Sequence, residues 1–260
     1  VSTYTFGDNP TAAHRLALLA QVYEPAARDL LRRWAPRQVG EAVDLGCGPG
    51  HSTRLVHAVT GARRTTGVDR SPQFLRQARA TAVPRVRYRR HDVTAAPPPF
   101  GPADLVYARF LLTHLPDPAA ALRLWAGTLA PGGRLLVQET ARLRSAEPAL
   151  SRYYELVAQV QAAYGQALDI GARLAGLAAD AGDGVRVVHA GTRRLRPPVH
   201  LMARLHVLNL RTWRTDPVAR GFDSGELDAL DAALTAIASG APAEPIAQDL
   251  GELVLGRGDA

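Results

Sequence analysis

The 260-residue chain contains no lysine: all 31 of its basic residues are arginine. A Schiff-base lysine, a lysine general base and the lysine of a phosphate-binding P-loop are therefore excluded. Arginine stays protonated at any working pH, so it can clamp carboxylates or phosphates but cannot carry protons. The single cysteine, Cys47, excludes an internal disulfide and a cysteine-rich zinc site. No apolar run approaches the roughly eighteen residues of a membrane span. The apolar stretch at 16–20 is too short for a signal sequence and lacks its basic flank. These absences predict a soluble, cytoplasmic protein with neither a membrane nor a metal among its partners.

What is present is a 47% hydrophobic content, ample for a core, and a net charge of +7. The abundance of Ala, Arg, Gly, Pro and Val is what a GC-rich genome produces, and it accounts for the missing lysine. The first forty residues suggest two helices, at 12–22 and 25–34. From residue 41 the pattern changes to short apolar runs at 42–45, 65–68, 86–90, 104–108 and 134–139, separated by helical stretches. That alternation predicts a parallel sheet with helical crossovers. Ser71-Pro72 and Asp117-Pro118 each supply a helix cap followed by proline at the first helical position. Further on, helices are expected at 151–164, 170–181, 200–213 and 225–238, and strands at 185–195 and 252–256.

Val43-Asp44-Leu45-Gly46-Cys47-Gly48-Pro49-Gly50 follows the first strand and opens a helix. Glycines at 46, 48 and 50 let the backbone pass close to a ligand. No Gly-Lys-Ser/Thr follows, and the third glycine comes too soon for the dinucleotide fingerprint.

The stretch resembles the first motif of class I S-adenosylmethionine-dependent methyltransferases. Four further motifs continue the resemblance in order: Gly67-Val68-Asp69-Arg70-Ser71, His91-Asp92-Val93, Asp104-Leu105-Val106-Tyr107 with Leu112 to Asp117, and Leu129 to Leu135. It covers about 39–139 and is nearest to the ubiquinone-biosynthesis-like, actinobacterial small-molecule branch. The resemblance implies a Rossmann-like, doubly wound α/β sheet of seven strands, the last antiparallel, with helical lid insertions. The expected division is an N-terminal lid segment at 1–38, a donor-binding core at 39–140, and a remainder at 141–260. That remainder completes the sheet near 185–195 and 252–256, with substrate-lid insertions near 151–164 and 199–240.

The resemblance also implies S-adenosylmethionine as cofactor, with S-adenosylhomocysteine as product. Its binding residues are expected to be Tyr4, Arg15, Asp44, Gly46, Cys47, Gly48, Gly50, Asp69, Arg70, Asp92, Val93 and Arg109. Asp69 is the expected ribose carboxylate and Asp92 the adenine contact; Arg109 could instead hold an acceptor carboxylate. With no lysine available, His114 and Glu139 are the candidate catalytic groups, although His114 could simply pack and Glu139 could cap a loop. Tyr153, Tyr154, His200, His206, Arg211 and Trp213, on the lid helices, are the candidate substrate contacts. Leu201, Leu205 and Leu208 form an apolar stripe on the same segment.

In this fold strands three and six form opposite edges. The arginine clusters at 85–90 and 193–196 therefore cannot make one patch, which argues against nucleic acid. The expected activity is methyl transfer to O or N of a small molecule, with a specialised natural-product metabolite as the expected acceptor. A peptide methyltransferase or a non-methylating donor-binding protein is the alternative, and a homodimer stays open.

Overall fold

Each crossover expected between residues 41 and 139 forms in the computed structural model, which describes residues 10–258. The alternating units are β1 (Glu41–Leu45), α2 (His51–Thr60), β2 (Arg64–Asp69), α3 (Pro72–Ala80), β3 (Val86–Arg90), β4 (Ala103–Arg109), α4 (Pro118–Ala126) and β5 (Leu129–Ser145). They follow α1 (Pro10–Trp34) and precede α5 (Pro148–Ala163), α6 (Leu174–Leu177), β6 (Val185–Leu195), α7 (Val199–Trp213), α8 (Ser224–Ala238) and β7 (Ile246–Arg257). Both Ser/Asp-Pro starts work as local chemistry requires. Ser71 Oγ accepts from the Phe74 N–H at 3.1 Å, and Asp117 Oδ1 from the Ala120 N–H at 2.9 Å.

The seven strands run in the order β3-β2-β1-β4-β5-β7-β6. Pairings from β3 through β5 are parallel, while β7 is antiparallel to both β5 and β6. The sheet is thus doubly wound and Rossmann-like, and its arginine-rich strands β3 and β6 are its two edges. Strand order reverses between β1 and β4, so a crevice opens beyond their carboxyl ends. Among the described residues, no helix is long and apolar enough to cross a membrane.

Three elements depart from the sequence-based expectation. First, α1 is one helix that runs through Pro25 rather than two helices. Its front half (Leu18, Tyr23) packs into a helical cluster with α5 and α7, and its back half (Ala27, Leu30, Leu31) packs on the sheet. Anchorage at both ends outweighs the proline's lost hydrogen bond.

Second, β5 does not stop at residue 139 but runs to Ser145, paired with β7 as far as Ile246. Leu143 and Ile246 on this extended ribbon pack against the helices above the sheet. Third, residues 170–181 form a 3-10 turn (Ile170–Arg173) and the single turn of α6, not a full helix. Backbones are too close there for a regular helix: a Cβ on Gly171 would stand 2.7 Å from the Thr140 carbonyl carbon. Together α1, α5, α7 and α8 make a roof with its own apolar core, set over the carboxyl ends of the strands.

Candidate active site

A cavity of about 610 Å³ lies between the strand ends and the roof. Its floor is the turn after β1, where Gly46 and Gly48 take left-handed φ values of 64° and 51°. A Cβ on Gly46 would stand 2.7 Å from Leu111 Cδ1, so any other residue there collides with the β4 loop. Gly46, Cys47 and Gly48 line the cavity. Asp44 and Gly50 are not among its lining residues. The Asp44 carboxylate instead accepts from Ser52 Oγ at 2.7 Å and Thr53 Oγ1 at 2.6 Å, fastening β1 to α2. Burial raises its pKa to about 6 despite those bonds. Gly50 packs against the Tyr88 ring of β3.

At the end of β2, Asp69 faces the cavity with its two oxygens already oriented. Oδ2 accepts from the Gly48 N–H at 2.9 Å and Oδ1 from the Ser71 N–H at 2.8 Å. Each carboxylate oxygen keeps a further lone pair for a ligand hydroxyl. Arg70, Asp92 and Val93 line the same end. The Val93 carbonyl is fixed by the Trp125 indole N–H at 2.8 Å, and Asp92 Oδ1 accepts from the Thr94 backbone and hydroxyl. Those bonds hold the Asp92 carboxyl below its ordinary range.

The ends of β4 and β5 supply the third wall. Phe110 sits at a φ of 52°, a strained conformation for a side chain of that size, and its ring meets Tyr23 edge-on at 4.7 Å. Arg109 lines the cavity with Nη1 buried and without a protein partner among the described residues. Glu139 is buried, and its Oε1 accepts from the N–H groups of both Leu111 and Leu112 at 2.7 Å. It therefore caps the 3-10 turn Leu112–His114 while also facing the cavity. Burial pushes its carboxyl up to about 8 against the opposing pull of those bonds. His114 lines the cavity too, but burial, and then the Arg15 guanidinium, hold it down at about 4. Its imidazole is thus neutral near pH 7 and a weak proton acceptor.

Glu139 should leave a signature in stability. Unfolded, its carboxyl ionises near 4.5; folded, it keeps its proton until about 8. The folded state then binds the extra proton between those values, so this stabilisation is complete below 4.5 and lost as pH rises through 8. Glu139→Gln preserves an oxygen for the two N–H groups and has no proton to lose. Urea titrations between about pH 6.5 and pH 8 are expected to show the native chain losing stability relative to the variant, by at most about 1.4 kcal/mol per pH unit. Parallel pH dependence of the two proteins would refute the raised carboxyl.

The roof contributes Arg15 and Tyr23 from α1, Tyr153, Tyr154 and Gln161 from α5, and His206 and Asn209 from α7. The Tyr153 and His206 rings stack at 4.3 Å, and Tyr154 stands edge-on to His206 at 5.3 Å. Burial holds His206 down at about 3, so it is neutral. Sequence reading missed Tyr23, Phe110, Gln161 and Asn209. The signal for Asn209 was present: Met202, Leu205, His206 and Asn209 share one helical face, and two of its four members are polar.

Three proposed substrate contacts lie elsewhere, which corrects them. His200 is exposed at the start of α7. Arg211 points away from the cavity and forms a two-pronged pair with Asp231 at 2.8 and 2.9 Å. Trp213 is fully buried inside the roof, one turn beyond the cavity. Tyr4 lies outside the described residues.

Residues 42–133 match a family model described as a methyltransferase domain. A trans-aconitate 2-methyltransferase from Azoarcus sp. is 42% identical over 113 residues, which is 44% of this chain and 44% of that one. The chain spans about half the length of the curated relatives it matches. Among solved structures, a phosphoethanolamine N-methyltransferase 2 of Haemonchus contortus in complex with S-adenosyl-L-methionine superposes with a TM-score of 0.56 at 16% identity, over 95% of this chain and 57% of that one. The [4+2]-cyclase SpnF superposes with a TM-score of 0.57 at 17% identity, over 92% of this chain and 82% of that one. These structural likenesses establish the fold alone, and the same fold carries a cyclase. The family match ends before β5 is complete and includes neither α1 nor α5, α7 and α8.

Proposed function

We propose that the chain is a class I S-adenosylmethionine-dependent methyltransferase that delivers its methyl group to O or N of a small molecule. The observation that carries this reading is one continuous cavity joining the glycine turn and Asp69 to a polar, aromatic roof. A volume of about 610 Å³, shared between donor and acceptor, suits an acceptor of small-molecule size and not an extended peptide. The finer reading, a specialised metabolite as acceptor and an actinobacterial small-molecule branch, rests on motif spelling and on the roof.

The residues present suit the donor. A Cβ would fill the cradle at Gly46, and both Asp69 oxygens keep capacity for ribose hydroxyls. Asp92 and Val93 would hold the adenine, while Gly48, Cys47 and the buried Arg15 would hold the amino-acid end. When bound, S-adenosylmethionine supplies an electrophilic methyl carbon on sulfur. The chain's share of the work is to align acceptor and methyl group and to exclude water. Transfer would break the carbon–sulfur bond and form a carbon–oxygen or carbon–nitrogen bond, and a hydroxyl or N–H acceptor would shed a proton. Glu139 in its ionised form is the assigned proton acceptor, because its raised carboxyl titrates nearer neutrality than His114.

Titration calorimetry with S-adenosylhomocysteine tests the reading. Saturable binding at one site per chain is expected, and no binding would sink it. Binding with no methyl transfer to any acceptor that enters the cavity would favour a non-methylating protein.

A further inference from the structure

The faces that α5 and α7 turn to the cavity carry hydrogen-bonding atoms with nothing to bond. His206 Nδ1, Gln161 Oε1 and Asn209 Oδ1 are buried and have no protein partner among the described residues, and their residues are 4%, 3% and 8% exposed. All three residues line the cavity. Buried polar atoms without partners are rare in a folded chain, so three around one space mark bonds left for a ligand. His206 and Asn209 stand one turn apart on α7 and project from the same side of it.

The chemistry of these walls is neutral. Their other polar members are the tyrosine hydroxyls, and the remainder are Val157, Met202 and Leu205. Neither face offers a cation. The cavity's arginines are Arg70, beside the ribose carboxylate at the donor end, Arg15 on α1 and Arg109 on β4. One of them is needed for the donor's own carboxylate. A polycarboxylate seated against these two walls would meet no cation on them, and carboxylates buried without a partner are strongly unfavourable. Ring-shaped apolar surface is what the walls do offer, from Tyr153 stacked on His206 with Tyr154 edge-on. His206 Nε2 lies 3.3 Å from the Tyr154 hydroxyl. If Nε2 accepts from that hydroxyl, Nδ1–H becomes a donor beside the two amide oxygens. A donor–acceptor pair on the ligand matches that set.

Resting on the methyltransferase reading, we infer that the acceptor is an uncharged aromatic molecule bearing an amide-like pair of hydrogen-bonding groups, and not a polycarboxylate. This sets the chain apart from the relatives named for trans-aconitate, whose match lies over about half their length.

The test is calorimetry on the full chain saturated with S-adenosylhomocysteine, using 4-hydroxybenzamide and trans-aconitate as probes. The uncharged probe is expected to bind at least about tenfold more tightly than the tricarboxylate. Asn209→Leu, which keeps the volume and removes the amide, is expected to weaken 4-hydroxybenzamide about tenfold while leaving S-adenosylhomocysteine within about twofold. Gln161→Leu repeats the test from the opposite wall should the first variant fold poorly. Tighter binding of trans-aconitate, no binding of 4-hydroxybenzamide, or indifference to both substitutions would overturn the inference. Failure of S-adenosylhomocysteine to bind the unaltered chain would instead remove the methyltransferase reading beneath it.

Discussion

Replacing Trp213 by alanine is expected to destabilise the fold by about 3–5 kcal/mol, the usual range for emptying a buried indole site. Its side chain is fully buried in the roof cluster, 6.4 Å from the Tyr153 ring and 6.1 Å from Phe222. None of its surface lines the cavity, so S-adenosylhomocysteine affinity should stay within about twofold wherever the variant is folded. Arg211→Ala is the control from the same helix. It breaks an exposed pair with Asp231 and should change stability by less than about 1 kcal/mol. Urea denaturation of both variants reads these differences directly. A Trp213→Ala protein as stable as the native chain would place that indole back among the ligand contacts.

Asp69→Ala is expected to weaken S-adenosylhomocysteine by about 10–100-fold, equivalent to charge-assisted hydrogen bonds worth roughly 1.5–3 kcal/mol. The loss has two sources that separate experimentally. One is the pair of ribose contacts; the other is the anchoring of the Gly48 and Ser71 N–H groups, which shapes the turn itself. Asp69→Asn keeps an acceptor oxygen and removes the charge, so it should restore part of the stability and less of the affinity. Calorimetry with thermal denaturation on both variants distinguishes them. An affinity unchanged in Asp69→Ala would refute the ribose assignment whatever happens to stability.

The donor half of the molecule was legible because its signals are local. Apolar runs bounded by Ser71-Pro72, Asp117-Pro118 and the glycine turn specify β1 through β5 without help from distant residues. The roof depends on tertiary contacts that no local pattern contains. Pro25 reads as a break, yet α1 is held from both sides and continues through it. The close approach of the backbones at Gly171 and Thr140 interrupts a segment whose sequence reads as helix. Residue type misled at the site for a related reason. Arg211 and Trp213 look chemical, but a helix presents one face to a cavity, and the face here is Met202, Leu205, His206 and Asn209. The amides at 161 and 209, ordinary in a helix by type, acquire meaning only because they are buried without partners.

A crystal structure of the chain with S-adenosylhomocysteine tests the central claim most directly. Ribose hydroxyls are expected on Asp69, the adenine beside Asp92 and Val93, and the sulfur turned toward the chamber walled by Tyr153, His206 and Asn209. A product bound outside this cavity, or one whose sulfur faces away from that chamber, would contradict it.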